Sequence, residues 1–392
     1  MKSSLDYTVK ELGDGKVIQI ESGEVIFKLD SHGGNPVVKP QEIGLTWQEK
    51  GVEKLGAVFN SGAEVFQNKV ILMPRCHQRY KKGTFFDKKM GIERSCLENY
   101  ISEIWPLVST DGLHFSRLGN TVIRGDGTDH KDFLYGIEDI RIIRSKQRYF
   151  LIGCGKIKPP FKGGNADRIA IYSTEDFLKI TYRGMVGAFD SRNAVPFPEP
   201  VGGRHYMLFR FHPHIHLDIL EGDIDQLLNP SRHKGAWEKI YERRSENLLL
   251  EAGHLPHERE KVGPGPQIIK TERGWLLIYH AVGEIGEEIC RIYGLEGKIE
   301  RGYSICAALL DLHDPGKVLC RSKRPIYIPS APYELRGNDQ YPVDVPAVVF
   351  PMGAIVWQGK LLLYCGAGDK YIILLSCSLA NLIEYLWEDC RL

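Results

Sequence analysis

The segment FPMGAIVWQGKLLLY, residues 350–364, decides the fold, because it joins an apolar strand-like run to a second one through the turn Gln358-Gly359. Such a pattern predicts a β-hairpin. The same unit recurs four times earlier in the chain, with the second strands KVILM (69–73), YFLIG (149–153), YMLFR (206–210) and WLLIY (275–279). A polar or glycine-containing turn precedes each of them.

Each hairpin also has a strand-like run upstream of its turn, at residues 60–66, 138–144, 193–201, 266–270 and 350–357. Five strand–turn–strand units predict an all-β fold, a five-bladed β-propeller. A β-sandwich would not explain five matched hairpins. We expect one domain, residues 1–392, with long inserted loops at 76–105, 243–260 and 283–301, because no Pro/Ser-rich linker divides the chain.

The composition disfavours a nucleic-acid-binding protein and a membrane protein. The 51 basic and 50 acidic residues leave a formal net charge of +1, which disfavours a nucleic-acid or membrane surface. No apolar run reaches the roughly 18 residues of a membrane span, and residues 1–10 lack the apolar core of a signal peptide. Nine scattered cysteines without a C-x-x-C pair predict buried, reduced thiols in a cytoplasmic protein.

Candidate site residues follow from the repeat, because the innermost strands of a propeller line its central channel. If the upstream strand of each hairpin is innermost, one acid and several cations converge with polar neighbours. A carboxylate facing several cations predicts an anionic ligand; surface charges or salt bridges between blades are the alternative. The converging residues are Asn60, Ser61, Arg75, Glu138, Asp139, Arg141, Arg192, Asn193, Arg210, Lys261 and His280.

Other polar patterns are weaker candidates. His212, His214 and His216 alternate along one strand, but three imidazoles on one flat strand seldom enclose a metal ion, so we expect no metal site. The turn GPGP (263–266) is not a phosphate-binding P-loop, because proline supplies no N–H; it reads as a rigid turn that aims Lys261. The polar loop with Glu251, His254, His257 and Glu258 is expected to be solvated.

The stretch GIEDIR (136–141) resembles the G-[IV]-E-D-P-R motif of glycoside hydrolase family 130. That family contains inverting β-mannoside phosphorylases and some β-mannosidases on a five-bladed propeller. Further segments match in the same order: 35–37, 56–63, 111–115, 263–279, 307–315, 349–354 and 364–369. The chain departs from the family pattern at four positions, namely Ile140, Phe209, Phe211 and Pro264.

The resemblance implies roles for individual residues. Asp139 falls on the family's proton donor, whose proton is thought to pass through a hydroxyl of the bound mannose. Phosphate binding falls on Arg192, Arg210, Lys261 and His280. The substrate-binding set comprises Asn60, Ser61, Arg75, Glu138, Arg141, Asn193, Asp344 and Asp369. Inorganic phosphate is the expected co-substrate, without a metal or an organic cofactor.

The predicted set of one acid and several cations favours phosphorolysis over hydrolysis. An inverting glycosidase needs two carboxylates, one of which activates water. Phosphate is already an anion and needs cations that orient it. The sequence therefore predicts phosphorolysis of a β-mannoside to α-mannose 1-phosphate and the released sugar. The alternatives are an inverting β-mannosidase, with Glu251 or Glu258 as base, and a non-catalytic sugar-binding propeller. We also expect a homo-oligomer.

Overall fold

A computed structural model describes residues 3–79, 81–88, 91–124, 132–158 and 166–392. Its principal sheets are five antiparallel blades arranged as a β-propeller, as the sequence predicted. The two strands of each predicted hairpin are neighbours in one blade. The upstream strand is at the edge of its sheet, and the upstream strands of blades one, two and five contact one another, which places them innermost.

The first two blades come from residues 57–186. In blade one, the third strand is interrupted, so that two short strands pair with the second one. The strands of blade one are Ala57–Phe66, Lys69–His77, Glu103–Ile104, Leu107–Ser109, Ser116–Arg117 and Ile123–Arg124. Those of blade two are Ile137–Ser145, Arg148–Lys156, Asp167–Thr174 and Ile180–Val186.

The remaining blades come mainly from residues 194–378. Blade three contains Ala194–Pro196, Tyr206–Phe211, His214–Ile219 and Leu248–Leu250. Blade four contains Lys261–Pro264, Ile269–Lys270, Trp275–Ile285, Ile299–Leu310 and Val318–Arg321. Blade five contains Val349–Trp357, Lys360–Ala367 and Tyr371–Ser378, and its fourth strand is Asp30–Ser31. Ser31 pairs with Leu375, so a strand from the beginning of the chain completes the last blade and closes the ring.

Helices and small hairpins decorate the ring. The α-helices are Ser4–Glu11, Asp223–Leu228, Lys234–Glu242, Glu287–Ile292 and Leu379–Asp389, and the 3₁₀ turns are Pro40–Ile43, Pro230–His233 and Pro256–Glu258. Separate hairpins are formed by Lys16–Gln19 with Val25–Lys28, by Thr46–Glu49 with Val52–Leu55, and by Lys81–Asp87 with Ile92–Glu98. None of the described helices is long and apolar enough to cross a membrane.

Three details differ from the sequence expectation. The first strand of blade three is only Ala194–Pro196, because Pro198 and Pro200 supply no backbone N–H to continue the ladder. Lys261–Pro264 is a strand, and Gly263 pairs with His280 within it, where a rigid turn at 263–266 was expected. Of the predicted loop at 243–260, Leu248–Leu250 supplies the outer strand of blade three.

The loop prediction also fails for two of its polar residues. His257 and Glu258 are buried rather than solvated, with Glu258 fully inaccessible. Their 3₁₀ turn lies against Gly283, and the Glu258 carboxylate accepts hydrogen bonds from Tyr279 (2.8 Å) and Arg321 (2.6 Å). These partners balance the buried charge.

Small residues allow the inner strands to approach one another at the axis. A Cβ added to Gly62 would lie 2.5 Å from the carbonyl oxygen of Ile140, and one on Gly353 would lie 2.6 Å from that of Ser61. Larger residues there would push blades one, two and five apart. The described cysteine side chains are all buried and unpaired, as predicted; Cys96 lies outside the described side chains.

Candidate active site

Two β-bulges shape the centre of the site. The register of blade one shifts between Phe59 and Ser61, and that of blade two shifts between Glu138 and Arg141. Asn60 and Asp139 at these bulges have φ angles of 48° and 53°, in the left-handed region. Asn and Asp tolerate this region better than most residues. The bulges redirect the two side chains toward each other, so that Asn60 Nδ2 donates to Asp139 Oδ1 at 3.0 Å.

Asp139 is held as a carboxylate by the groups around it. Only 2% of the residue is exposed. Burial alone would raise its pKa, but Arg192 Nε at 3.3 Å, Arg75 Nη1 at 3.6 Å and the amide of Asn60 outweigh burial. Together they keep the pKa of Asp139 well below its usual value. The free protein therefore carries an ionised Asp139 at neutral pH.

Arg192 joins three carboxylates. It bonds to Asp139 and to Glu138, and its Nη1 lies 3.6 Å from Asp167 Oδ2. Lys156 forms a buried ion pair with the same Asp167. Arg192 is 23% exposed, so one side of its guanidinium still faces solvent. The sequence expectation of one acid among cations was thus incomplete, because it missed Asp167.

Arg75 is fixed by aromatic and polar neighbours. Its guanidinium lies 4.7 Å from the ring centroid of Phe59, and its Nε donates to His77 Nε2 at 2.9 Å. Tyr100 bridges Arg75 and Glu138, since its hydroxyl accepts from the first and donates to the second. Tyr100 belongs to the predicted insertion at 76–105, which therefore reaches the site.

A second group of donors surrounds Gly263 on the inner strand of blade four. A Cβ at Gly263 would lie 2.8 Å from His280 Nε2 and 2.9 Å from Arg210 Cδ, so glycine permits this close approach. Lys261 Nζ donates to the hydroxyl of Tyr303 at 2.8 Å, and the rings of His280 and Tyr303 stack 6.2 Å apart. This donor cluster is Arg210, Lys261, His280 and Tyr303.

The donor cluster carries uncompensated positive charge. Neither Arg210 nor Lys261 makes an ion pair with a carboxylate in the described parts of the chain. Burial lowers the pKa of both; repulsion by Arg192 lowers that of Arg210 further, and repulsion by Arg210 lowers that of Lys261. Burial, followed by Arg210 and Lys261, holds the pKa of His280 well below its usual value, so its imidazole is neutral. Arg210 Nε and both ring nitrogens of His280 are buried without a hydrogen-bond partner. Such a set can stabilise a bound anion.

Arg141 connects the acid to the donor cluster. The residue is fully buried, and its guanidinium donates to the backbone carbonyls of Asp139 (3.0 Å), Pro264 (2.9 Å) and Gly265 (2.8 Å). These bonds tie the inner strand of blade two to the chain beside Lys261. Three bonds to backbone carbonyls occupy the Arg141 guanidinium and brace the inner strand of blade two; its expected contact with sugar stays a prediction.

The remaining predicted residues lie around this centre. Asn193 is buried, and its amide oxygen, after exchange of the amide O and N positions, accepts from Arg210 at 3.2 Å. Ser61 is buried and donates to the Gly62 carbonyl at 2.9 Å. Burial raises the pKa of Asp369 to about 6, against a lowering effect of Arg75. Asp344 is farther out and lies 3.5 Å from Lys370 Nζ.

Sequence reasoning missed four polar contributors: Tyr100, His77, Asp167 and Tyr303. His77 lies at the end of the second strand of blade one, a position equivalent to those of Arg210 and His280, so the repeat provided a signal for it. Asp167 begins the third strand of blade two, a position that the repeat did not single out. Tyr303 is the cross-strand neighbour of Val282, which in turn opposes Lys261. Tyr100 gives no such signal, because it lies in the inserted segment outside the repeat.

The alternating histidines of blade three do not converge on one point. The rings of His214 and His216 lie 6.2 Å apart in blade three, away from the acid. In the described residues, one buried trio, His257, Glu258 and Cys306, has the spacing of metal ligands. Glu258 is already neutralised by Arg321, so the trio does not need a cation for charge balance.

Comparison with known proteins assigns the family. The family profile described as beta-1,4-mannooligosaccharide phosphorylase matches residues 33–388. The chain belongs to glycoside hydrolase family 130. This family 130 protein is 28% identical over 350 residues to the 1,2-beta-oligomannan phosphorylase of Thermoanaerobacter sp. (strain X514), covering 88% of this chain and 96% of that one.

Two further comparisons concern Listeria innocua. The beta-1,2-mannobiose phosphorylase of that organism is 27% identical over 405 residues, covering 91% of this chain and 98% of the relative. The solved structure of a beta-1,2-mannobiose phosphorylase from Listeria innocua, in complex with beta-1,2-mannobiose, superposes with a TM-score of 0.66 at 23% identity. That superposition covers 91% of this family 130 chain and 99% of the solved one, and it supports the propeller fold.

Proposed function

We propose that this family 130 protein is an inverting β-mannoside phosphorylase. It transfers the mannosyl group of a β-mannoside to inorganic phosphate, which gives α-mannose 1-phosphate and the released sugar. The C1–O bond to the leaving sugar breaks, a C1–O bond to phosphate forms on the opposite face, and the leaving oxygen takes up the proton that hydrogen phosphate brings to the site. No redox partner is needed.

One observation carries this proposal: the uncompensated donor cluster, Arg210, Lys261, His280 and Tyr303, flanks the strand that Arg141 ties to the backbone of the buried Asp139. Buried cations without a carboxylate partner are costly unless an anion binds them. Phosphate supplies that anion and is also a nucleophile that requires no general base. Arg192 also contributes to phosphate binding, through the side of its guanidinium that faces solvent. To do so, it gives up part of its interaction with Asp139 and Asp167.

The ionised state of Asp139 bears on proton transfer. A carboxylate with a depressed pKa has no proton to give, so the proton must arrive with the substrates. A bound phosphate beside Arg192 and Arg210 reduces the positive field on Asp139 and therefore raises its pKa. We infer that phosphate binding prepares Asp139 to pass a proton to the leaving oxygen, with a mannose hydroxyl as the relay.

The substrate-binding roles of Asn60, Ser61, Arg75, Glu138, Asn193, Asp344 and Asp369 are part of the proposal. Arg141 is proposed as a positioning residue, because its guanidinium is occupied by three backbone carbonyls. We propose inorganic phosphate as the sole co-substrate, with no cofactor. Cytoplasmic location and a homo-oligomer also remain proposals; the unpaired thiols support the first.

Hydrolysis is the competing reaction, and the structure disfavours the bases first considered for it. Glu258 is buried beneath Tyr279 and Arg321 of blade four, and Glu251 is bonded to His254 in an exposed loop. The test is to incubate the protein with β-mannobiose, with and without phosphate. We expect mannose 1-phosphate only when phosphate is present. Free mannose at the same rate without phosphate would contradict the proposal.

A single variant tests the alternative of a non-catalytic sugar-binding protein. Asp139→Asn should lose most turnover, because it removes the proton-transfer group, while the circular dichroism spectrum and the binding of mannobiose persist. Unchanged turnover in this variant would remove Asp139 from the mechanism.

A further inference from the structure

The central channel has a second mouth at the other end of the inner strands. Glu64 and Arg144 lie near the ends of the strands that contain Asn60 and Asp139. Five residues of strand separate Asp139 from Arg144, which is about 16 Å. A cleft of about 530 Å³ opens there, lined by residues from blades one, two, four and five. Its size falls within the range of small-molecule sites.

Aromatic side chains form part of the wall of this lower cleft. Phe66, Tyr149 and Trp357 line it, and Phe66 contacts Tyr149 edge to face at 6.1 Å. Trp357 is held in place because its Nε1 donates to Asp6 Oδ1 of the first helix at 2.8 Å. Rings fixed in this way offer flat apolar surfaces without an entropic cost of ordering them.

Polar groups with unused hydrogen-bonding capacity converge on the same space. The Glu64 carboxylate accepts only from its neighbouring Val65 amide at 2.8 Å and forms no ion pair with Arg144, as far as the described residues show. Gln267 donates from Nε2 to the carbonyls of Ala63 and Ala354, so its amide orientation is fixed, and its Oε1 has no partner. Burial raises the pKa of Glu64, and the hydrogen bond from the Val65 amide and the charge of Arg144 offset only part of that effect.

The chemistry of the lining selects a class of ligand. The Glu64 carboxylate needs a hydroxyl or amine donor, while the exposed Arg144 needs an acceptor. Arg144 disfavours an organic cation and Glu64 disfavours an anion. A hexose satisfies both, because its hydroxyls donate and accept and its C–H face packs on aromatic rings.

We propose that the lower cleft is a second, non-catalytic binding site for one or two sugar units of a mannoside. It would hold an oligosaccharide on the face of the propeller opposite Asp139. The choice of mannoside rests on the proposed function, whereas the choice of a neutral sugar rests on the lining of the cleft.

The test is equilibrium dialysis of labelled β-1,2-mannobiose against the full chain without phosphate, so that no phosphorolysis occurs. The double variant Glu64→Gln/Arg144→Gln keeps the shape of the cleft and changes its charges. We expect the wild type to bind one equivalent more than this variant, or the affinity of that equivalent to fall about tenfold, which is about 1.4 kcal/mol. Phosphorolysis by the variant should keep the wild-type kcat and KM.

Two outcomes would overturn the proposal. The first is a double variant that binds as many equivalents, with the same affinity, as the wild type. The second is displacement of the extra equivalent by choline, which would make the lower cleft a cation site. Failure of the proposed function would be visible separately, as the absence of mannose 1-phosphate in a protein whose lower cleft still binds sugar.

Discussion

Replacement of Arg210 by alanine tests the donor cluster. Arg210 has a buried Nε without a partner and no carboxylate counter-ion in the described chain, so its charge is available to a ligand. Hydrogen bonds to a charged group contribute about 1.5–3 kcal/mol each. Loss of one to two such bonds to phosphate corresponds to about 3 kcal/mol, or roughly a hundredfold rise in the KM for phosphate.

The fold should tolerate this change. Arg210→Ala removes a cation that repels Lys261 and Arg192, so the pKa of Lys261 should rise and no buried carboxylate loses its partner. We therefore expect a melting temperature close to that of the wild type. The KM for phosphate should change far more than the KM for the mannoside.

The assay is initial-rate measurement of mannose 1-phosphate release, with phosphate varied at saturating mannoside. Arg148→Ala is the matched control, because Arg148 lies at the surface of blade two and pairs with Glu175 at 3.5 Å. The control should leave both KM values unchanged. A KM for phosphate within about twofold of the wild type in Arg210→Ala would refute the assignment of the donor cluster to phosphate.

Two other variants test the groups near Asp139. Tyr100→Phe removes the hydroxyl that bridges Arg75 and Glu138, so kcat should fall about tenfold with little change in the KM for phosphate. Tyr364→Phe is the control; it loses a buried hydrogen bond to the Gly112 carbonyl and should alter stability only. If Tyr100→Phe and Tyr364→Phe changed the kinetics to the same extent, the role of Tyr100 would be structural only. Asp369 has its pKa raised to about 6 by burial, so between about pH 4 and 6 the folded state holds a proton that the unfolded state releases, and this group makes stability fall as pH rises. Asp369→Asn should flatten that part of a plot of melting temperature against pH, and an unchanged slope would contradict the assignment.

Much of the fold follows from the repeat. The hairpin at 350–364 and its four counterparts predict the five blades because apolar strands and tight turns are local features of the sequence. Ring closure by Asp30–Ser31 was not predictable in that way, since the pairing of Ser31 with Leu375 joins residues from opposite ends of the chain. The short first strand of blade three was also missed, because Pro198 and Pro200 interrupt the hydrogen-bonding pattern within the apolar run.

The candidate site was predictable in part. Strand ends identify Asp139, Arg75, Arg210 and His280 as neighbours, because the same position in each blade faces the axis. Which charges remain unpaired could not be predicted, because it depends on three-dimensional contacts. Asp167, for example, forms an ion pair with Arg192 and so partly neutralises it. The bracing contacts of Arg141 with backbone carbonyls likewise have no sequence signal, because any residue type supplies a carbonyl.

The central claim is that Asp139 acts on one face of the mannosyl group while phosphate attacks the other from the donor cluster. The most direct measurement is ¹H and ³¹P NMR of the sugar phosphate formed from β-mannobiose and phosphate during the first turnovers. The account predicts α-mannose 1-phosphate, formed only with phosphate and lost in Asp139→Asn. Formation of β-mannose 1-phosphate would contradict the account, because retention requires attack from the face of the leaving group or a second displacement.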